Sequence, residues 1–559
     1  MFSWIIRLTL LTGVAASWRR LERAHEQELM SIRVHLRPEI DLLEQLNQVA
    51  DIASPEYAKY VEDLDQVTRP SSKALDAARL LFSEFHPIVS RNVWHIELPV
   101  ASAETLFQTK IHKFQHDATK QWLLRAANSI TIPQSIASHV LLIDGLDYLP
   151  PSRSKSPFKR RLQGVNPITD GITLEIIQKL YNFPDSLDSS YAGNSIVIGA
   201  FLNETYMESD IDNYLGFSNM RPLSVKPSHK NCIGNGKPNY ATSEASLDVQ
   251  LLAGLTRNND TTVLCYNEYR IPDKPLSDDN QEPFLKFMID VNTMKPAPAV
   301  VSISYADDEC SIPLSYRQAI DSEFIKAGLR GTTIFVSSGD NGVVGSSSLE
   351  DFGPKYCDRY QPGYPSSSPY IVSVGATNLV ASKEIGLSTR NGGAITTGGG
   401  FSQDEPRPVY QVQVVDEYLG KHNLNISAFN SSGRAFPDLA GVGHNIVLFI
   451  GGFMTVCDGT SASAPILAAL FSHINRYRLS RGKPVLGFVN PYLYKLSSVC
   501  PFIFNDIASG ENGCGSLNQP CCLNGFAAGL GWDPISGLGS LNYQAFIDNM
   551  DKCEELMKA

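Results

Sequence analysis

Residues 459–465 read GTSASAP and lie directly before an apolar run, Ile466 to Ile474. The run predicts a buried helix, with Ser461 close to its start. Unpaired backbone N–H groups and the positive end of the helix dipole favour negative charge there. The position suits a serine nucleophile whose carbonyl target becomes an oxyanion, and a helix-capping serine is the alternative interpretation.

A serine nucleophile needs a base, which is usually a histidine. After residue 162 the chain has four histidines, none in a Gly-His-Gly-Thr context: His229, His422, His444 and His473. Glu244 and Asp248, in EASLD, are four residues apart and therefore share one face of a helix. Because neighbouring carboxylates repel, one keeps its proton above the ordinary pKa of about 4. We predict Glu244 as an acid-tuned base oriented by Asp248, with a solvated acidic helix face as the alternative.

Asp340 lies in SSGDNG, residues 337–342, directly after the apolar run Thr332–Val336. If the run is a strand of a parallel sheet, Asp340 lies at its C-terminal end, where functional groups collect. A protonated aspartic acid there donates a hydrogen bond to an oxyanion, but only in acid. An ordinary Asp-Asn-Gly turn is the alternative.

A further motif lies near the C-terminus, where Asn505-Asp506-Ile507 is followed by GLGWD, residues 529–533. Two aspartates and exposed backbone carbonyls form an all-oxygen site, which favours Ca²⁺ over zinc. A glycine-rich loop without a metal is the alternative.

Short apolar runs alternate with helical stretches after residue 164, which indicates an α/β fold with a parallel sheet covered on both faces. The predicted strands are Ser195–Phe201, Thr261–Tyr266, Ala299–Tyr305, Thr332–Ser337 and Tyr370–Val374. Before residue 150, Glu39–Ala50 predicts an amphipathic helix and Asn92–Val100 a strand. The basic stretch SRSKSPFKRR, residues 152–161, predicts an exposed linker and a processing region.

The composition describes an ordinary soluble protein of 559 residues, with 43% hydrophobic and 19% charged residues. The net charge of −11 argues against nucleic acid as a partner. The charge is uneven: 20 basic and 18 acidic residues precede residue 163, and 27 basic and 40 acidic residues follow. Seven of the 11 histidines precede residue 140. We expect acid to weaken the attraction between the two parts.

The N-terminus and the cysteines indicate export. Residues 1–16 have the charge, the short apolar run and the small residues of a secretory signal peptide. All 10 cysteines lie at or after Cys232, which predicts disulfides of undetermined pairing; zinc is the less favoured reading because no paired CxxC motifs occur. No later segment is apolar enough for a membrane anchor. Four sequons predict glycosylation, at Asn203, Asn259, Asn425 and Asn430.

Taken together and in this order, the four motifs resemble the sedolisin family of serine-carboxyl peptidases, in its tripeptidyl-peptidase branch. Ser54-Pro55-Glu56-Tyr57 resembles the Ser-Pro-x-Tyr signature of the family's prodomain, and Asn166-Pro167 resembles the start of the mature enzyme. The resemblance implies a subtilisin-like sheet flanked by helices, preceded by an α+β, ferredoxin-like activation prodomain. We divide the chain into a signal peptide (1–16), a prodomain (17–150), a linker (151–164) and a peptidase domain (165–559).

The resemblance also implies the roles of individual residues. The catalytic triad is Ser461, Glu244 and Asp248, and Asp340 completes the oxyanion hole. One Ca²⁺ ion is held by Asp506, Ile507, Gly529, Gly531 and Asp533, with carbonyl oxygens from Ile507 and the glycines. The substrate-binding strand is Ser304-Tyr305-Ala306, where Ala306 replaces a glycine frequent in the family. Asp458 also departs from the family, and we expect this extra carboxylate to shift the pH optimum.

The expected activity is acid-dependent release of tripeptides from free N-termini, by a zymogen that processes itself. An endopeptidase of the same family and an inactive homologue that binds peptides are the alternatives. The expected partners are peptide substrates and the chain's own prodomain as inhibitor, with no nucleic acid and no membrane. We expect a secreted monomer, with an acidic vacuole or lysosome as the alternative location.

Overall fold

The structure is a computed structural model. It describes residues 18–117, 120, 122–149, 159–160, 166–202, 204–230, 232, 241–266, 283–346, 353–422, 424 and 427–558. The predicted signal peptide, Asn203, Asn425 and most of the predicted linker lie outside the described residues.

The prodomain, residues 18–149, is an α+β unit, as predicted. Its strands form two antiparallel sheets, ordered β3-β4-β2-β7 and β1-β5-β6. The strands are β1 (Trp18–Arg23), β2 (Leu29–Leu36), β3 (Ile88–Ser90), β4 (Val93–Pro99), β5 (Ile111–His116), β6 (Trp122–Ala126) and β7 (Val140–Asp144). The helices are α1 (Leu42–Ala50), α2 (Ser72–Phe82), α3 (Val100–Phe107) and α4 (Gln134–Ala137).

An eight-stranded sheet forms the centre of the peptidase domain. Its order is β10-β11-β9-β12-β14-β16-β17, with β20 also paired to β16. All neighbours are parallel except β16 and β17. The strands are β9 (Ile196–Ala200), β10 (Ser228–Lys230), β11 (Thr261–Cys265), β12 (Val300–Ile303), β14 (Thr333–Ser337), β16 (Val372–Val380), β17 (Lys383–Gly386) and β20 (Leu439–Val442).

Both faces of this sheet are covered by helices, which confirms the predicted fold class. Ile196 and Ile198 pack with α7 (Ser243–Thr256) and α11 (Thr460–Ser480) in one apolar core. Val197 and Val301 point the other way and pack with α8 (Phe284–Thr293) and α9 (Leu314–Leu329) in a second core. Alternate residues of a strand point to opposite faces, so a strand buried on both sides is a continuous apolar run.

Shorter elements complete the domain. The remaining strands are β8 (Lys159–Arg160), β13 (Asp307–Asp308), β15 (Gly363–Tyr364), β18 (Gly400–Pro406), β19 (Gly433–Phe436), β21 (Ile446–Ile450), β22 (Phe453–Asp458), β23 (Phe504–Asn505) and β24 (Ser540–Leu541). The remaining helices are α5 (Leu174–Leu180), α6 (Glu208–Phe217), α10 (Val412–Lys421), α12 (Asn490–Val499) and α13 (Tyr543–Lys558).

Four disulfides cross-link the peptidase domain, in agreement with the predicted oxidising compartment. They join Cys232–Cys265, Cys357–Cys522, Cys500–Cys553 and Cys514–Cys521. Cys310 and Cys457 are not in disulfides.

Candidate active site

Ser461 is the second residue of α11 and is 2% exposed. The helix begins at Thr460, inside the GTSASAP motif, so Ser461 lies at its start as predicted. Pro465 lacks the N–H that would bond to the carbonyl four residues earlier, which is that of Ser461. This carbonyl instead accepts a hydrogen bond from the Ser304 hydroxyl at 3.2 Å. Pro465 thus permits a side chain from β12's loop to hold the nucleophile's backbone.

Glu244 and Asp248 lie one turn apart on α7, and both are completely buried. The helices α7 and α11 pack against each other, and this packing places the turn with Glu244 and Asp248 beside the start of α11. Neither Glu244 carboxylate oxygen has a hydrogen-bond partner among the described residues, and the Ser461 hydroxyl lies close enough to lower the pKa of Glu244. That hydroxyl also donates a long hydrogen bond of 3.4 Å to the Ser304 carbonyl. The structure therefore brings the three predicted triad residues together.

Ser304 connects Asp248 to the nucleophile. Its hydroxyl lies 2.7 Å from Asp248 Oδ1 and 3.2 Å from the Ser461 carbonyl. Because Ser304 is completely buried, this link is not open to competition from water. Ser304 belongs to the predicted substrate-binding strand, and its side chain lies within the catalytic network; the substrate-binding role of the strand stays a prediction.

Burial raises the pKa values of both Glu244 and Asp248 well above the ordinary carboxyl range. The charge of Asp248 raises the pKa of Glu244 further, and the Ser461 hydroxyl opposes that rise. The pair therefore retains a proton at a pH where exposed carboxyl groups have lost theirs. This agrees with the predicted acid-tuned base.

Asp340 lies at the start of α11, three residues after β14 ends. Its Oδ1 accepts hydrogen bonds from the Thr460 backbone N–H at 2.9 Å and the Thr460 hydroxyl at 2.8 Å. Asp340 is 3% exposed and lines a small cleft together with Ser461. The predicted oxyanion residue and the predicted nucleophile therefore face the same space.

Sequence reasoning missed Glu204, a fourth buried carboxyl group at the site. Its Oε2 accepts hydrogen bonds from the backbone N–H groups of Glu244 at 3.0 Å and Ala245 at 3.4 Å. Glu204 thereby caps α7, whose N-cap Thr242 makes no capping hydrogen bond of its own. Its charge raises the pKa of both Glu244 and Asp248.

The other two residues of the predicted substrate-binding strand have different surroundings. Ala306 lines the cleft with Ser461 and Asp340. The Tyr305 ring is completely buried in an aromatic cluster, with its centre 4.7 Å from that of Phe201. Of the three predicted side chains, the structure therefore places only that of Ala306 at the cleft.

Part of the predicted linker pairs with the strand that leads to the nucleophile. Lys159 and Arg160 form β8, which runs antiparallel to β22 with Lys159 opposite Asp458 and Arg160 opposite Cys457. Asp458 is three residues from Ser461. The backbone of Lys159 and Arg160 is thus paired with the strand that leads to the nucleophile, and the predicted exposure of the linker stays a prediction.

Asp458 holds loops around the site. Its Oδ1 accepts from the Asn445 N–H at 2.8 Å, and its Oδ2 accepts from the Ala394 N–H at 2.6 Å and lies 3.0 Å from His444 Nδ1. The carboxylate is completely buried. The predicted shift of the pH optimum stays a prediction.

The predicted calcium ligands lie in one loop region. Asp533 is completely buried, and its carboxylate accepts from the N–H groups of Gly529, Ile535 and Ser536, each at 2.9 Å. Asp506 accepts from the Gly531 N–H at 3.0 Å. Burial raises the pKa of Asp533 to about 7, because its charge is balanced only by neutral donors. A buried carboxylate beside a second carboxylate and loop carbonyls fits a hard cation such as Ca²⁺.

The two glycosylation sequons in the described residues differ in exposure. Asn259 is exposed, whereas Asn430 is half-buried and its amide donates to the Gln403 carbonyl at 3.0 Å. In the described part of the chain, no helix is both long and apolar enough to cross a membrane.

Two family models match the chain. Residues 16–149 match the pro-kumamolisin activation domain, and residues 278–480 match the subtilase family. The first match covers nearly the same residues as the predicted prodomain.

Curated relatives match almost the full length. Tripeptidyl-peptidase 1 of Rattus norvegicus is 33% identical over 95% of this chain and 93% of its own. The enzymes of the same name from Homo sapiens and Dictyostelium discoideum are 31% and 30% identical, over 95% and 93% of this chain and 93% and 88% of their own. Pseudomonas sedolisin, a serine-carboxyl proteinase, has a similar fold: its TM-score is 0.52 at 24% identity, over 68% of this chain and 98% of its own.

Proposed function

Because the chain belongs to the sedolisin family of serine-carboxyl peptidases, in its tripeptidyl-peptidase branch, we propose that it is a self-activating, acid-acting peptidase. It releases tripeptides from the free N-termini of polypeptides. The observation that carries this proposal is the meeting of Ser461 with the buried carboxyl pair of Glu244 and Asp248. The full-length similarity to tripeptidyl-peptidases supports the cleavage pattern.

In the first chemical step, the Ser461 hydroxyl attacks the carbonyl carbon of the scissile peptide bond. Glu244 accepts the hydroxyl proton and then gives it to the leaving amine, so the acyl group remains on Ser461. Water attacks the acyl-enzyme, Glu244 takes its proton, and the tripeptide leaves as Ser461 regains a proton. Asp248 shares a proton with Glu244, and Ser304 keeps Asp248 oriented through its 2.7 Å hydrogen bond.

Asp340 acts on the oxyanion that forms during both attacks. With Oδ1 accepting from Thr460, the proton of the acid form resides on Oδ2 and is donated to the oxyanion. The first N–H groups of α11 add positive potential at the same place. The activity therefore requires acid for two reasons: an ionised Asp340 repels the developing negative charge, and the Glu244–Asp248 pair loses its shared proton as pH rises.

The chain is made as a zymogen. The prodomain packs against the peptidase domain, and β8 pairs Lys159 and Arg160 with β22, the strand that leads to Ser461, which supports self-processing within residues 155–162. We expect the signal peptide, N-glycosylation at the sequons, secretion and a monomeric state, none of which the catalytic geometry addresses.

One Ca²⁺ ion is proposed in the C-terminal loop. Asp506 and Asp533 supply carboxylates, and Ile507, Gly529 and Gly531 supply carbonyl oxygens. The ion balances buried charge and fixes the loop; it takes no part in the acyl transfer.

Mass spectrometry of products from an unblocked 15-residue peptide tests the proposal. We expect a ladder that loses three residues at a time at pH 4, with little cleavage at pH 7. The N-acetylated peptide and the Ser461→Ala variant are the controls, and both should give no products. Internal cuts in the acetylated peptide would indicate an endopeptidase, and an inert processed enzyme would indicate a peptide-binding homologue.

A further inference from the structure

The prodomain also contacts the peptidase domain far from the catalytic centre. The contact involves the loop that follows α1, residues 51–61, which carries the Ser-Pro-x-Tyr signature. Its Tyr60 lies against Gly331, directly before the N-terminal end of β14. Asp340 follows the C-terminal end of the same strand. The loop therefore binds at the edge of the sheet opposite to the active site.

Tyr60 occupies a cavity shaped by two glycines, which we call the tyrosine socket: Gly331, Val485 and Gly487. The Tyr60 hydroxyl donates to the Val485 carbonyl at 2.9 Å. A methyl group on Gly331 would lie 2.7 Å from the ring, and one on Gly487 would lie 2.5 Å from the hydroxyl oxygen. Any side chain at either glycine would therefore displace the tyrosine.

The peptidase domain holds the socket with its own contacts. The Gly487 carbonyl accepts from the Thr333 hydroxyl at 2.6 Å. The Leu486 N–H donates to Asn475 at 3.0 Å, and Arg478 donates to the Pro484 carbonyl at 2.8 Å. None of these partners belongs to the prodomain or the linker. The socket therefore does not depend on Tyr60 for its shape.

Neighbouring prodomain residues extend the contact. The Val61 N–H donates to the Leu329 carbonyl at 2.8 Å. Ile52 is 4% exposed and belongs to the main core of the peptidase domain. On α1, Leu46 is completely buried against Leu329 and Phe488. The contact combines buried apolar side chains with two hydrogen bonds, from the Tyr60 hydroxyl and the Val61 N–H, which is the pattern of a binding hot spot.

We propose that the tyrosine socket is a second prodomain-binding site, outside the cleft, that keeps the cleaved prodomain on the enzyme. Its partner is the released prodomain presenting Tyr60. Cutting the linker leaves every contact of the socket intact, so release of the prodomain is a separate step from cleavage. That release of the prodomain controls peptidase activity rests on the proposed function, but the binding of Tyr60 in the tyrosine socket does not.

The test uses the full chain with Ser461→Ala, cut in the basic linker with trace trypsin at pH 7. The dissociation rate of the cut prodomain is measured by dilution and gel filtration. We expect Tyr60→Ala to speed dissociation about 10- to 100-fold, and Tyr60→Phe about 2- to 10-fold, since only a hydrogen bond is lost. Leu80→Ala is the prodomain control, because Leu80 is 81% exposed and we expect no change.

Substitutions in the peptidase domain provide the complementary test. Gly487 and Gly482 both have positive φ, +63° and +69°, but nothing lies within 4 Å of a methyl group placed on Gly482. The two alanine variants therefore share the same backbone strain. We expect Gly487→Ala to speed dissociation and Gly482→Ala to leave it unchanged.

The proposal is overturned if Tyr60→Phe, Tyr60→Ala and Gly487→Ala all dissociate as slowly as their controls. Should Tyr60→Ala fail to fold, Tyr60→Phe and Gly487→Ala still decide the question. Since Ser461→Ala abolishes the proposed activity in every sample, a failure of the socket is distinct from a failure of the peptidase assay.

Discussion

At the scale of single residues, Glu204 adds another carboxyl group beside the catalytic pair, and burial raises its own pKa. It lies at the start of α7, where its carboxylate accepts from the N–H of Glu244. The groups that interact electrostatically with Glu244 are Asp248, Glu204, Asp340, the Ser461 hydroxyl, Cys457 and Tyr305. The pair therefore loses its proton at a pH that depends on Glu204.

We predict that Glu204→Gln moves the alkaline limb of the pH profile of kcat/KM to lower pH, by about half a unit to one unit. Glutamine still accepts the two backbone hydrogen bonds, so the change removes charge and keeps the cap. The removed charge lowers the pKa values of Glu244 and Asp248, and the pair loses its proton earlier as pH rises.

Glu384→Gln is the control, because Glu384 is a buried carboxyl group hydrogen-bonded to Tyr181, Thr377 and Ser540 and not to the catalytic pair. Glu204→Asp should return the limb towards its original position. An unchanged profile in Glu204→Gln would show that Glu204 only caps the helix.

The catalytic residues could be proposed from sequence because each lies in its own short motif. Ser461 follows from a helix start, Asp340 from a strand end, and Glu244 with Asp248 from a four-residue spacing. Glu204 could not be proposed from sequence, because it lies 40 residues before Glu244. Its carboxylate reaches the Glu244 backbone N–H only in the folded chain. Ser304 was placed on the right strand, but its bond to Asp248 depends on how α7 packs.

At the scale of elements, the strands of the sheet were predictable because they are buried on both faces. Thr332–Ser337 was predicted, and β14 spans Thr333–Ser337. The start of α11 was predicted only to near Ser461, since the small polar residues of GTSASAP have no periodic pattern that would mark Thr460 as its first residue. The disulfide pairing was also out of reach, because Cys357 and Cys522 are 165 residues apart and meet through loops with no periodic pattern.

In our proposal, the stability of the C-terminal loop depends on a bound Ca²⁺ ion. We predict that EGTA lowers the melting temperature of the processed enzyme at pH 8, where Asp533 is ionised because its pKa is about 7, and that added Ca²⁺ restores it. The physical reason is the buried Asp533 carboxylate, which lacks a positive partner in the described structure without the ion.

Asp533→Asn removes that charge and should make the melting temperature insensitive to EGTA. Asp548→Asn, on the exposed face of α13, is the matched control and should keep the full response. Equal sensitivity to EGTA in Asp533→Asn and the unchanged enzyme would contradict the proposed site.

At the scale of the whole molecule, the prodomain lies along the length of α9. Tyr148 stacks on Tyr316 near the start of this helix, with ring centres 5.6 Å apart, and Val61 bonds to Leu329 at its end. The prodomain thus spans the distance from the cleft edge to the tyrosine socket. Acid must weaken this whole interface to free the enzyme. The opposite net charges of the two parts and the seven prodomain histidines predict such weakening, but they do not identify the residues responsible.

His35, in β2, is one residue that can make prodomain binding weaker in acid. It is 2% exposed at the interface, where Glu323 and Lys326 of α9 face it along with Arg33 and His95 of its own sheet. Burial, aided by the charge of Arg33, lowers the pKa of His35 from 6.5 to about 3. His35 is therefore neutral in the zymogen but takes up a proton below about pH 6.5 once the prodomain is released.

Because the bound state has the lower pKa, the contribution of His35 to prodomain affinity is complete above pH 6.5 and is lost as pH falls towards 3. We predict that this residue weakens binding about 30-fold between pH 7 and pH 5. The cut Ser461→Ala chain measures it, as the prodomain dissociation constant at pH 7, 6 and 5. His35→Gln stays neutral throughout and should lose this part of the pH dependence, whereas His25→Gln, at an exposed histidine, should keep it. If binding of His35→Gln weakened with acid as steeply as binding of the unchanged prodomain, the response would come from the other prodomain histidines or from carboxyl groups of the peptidase domain.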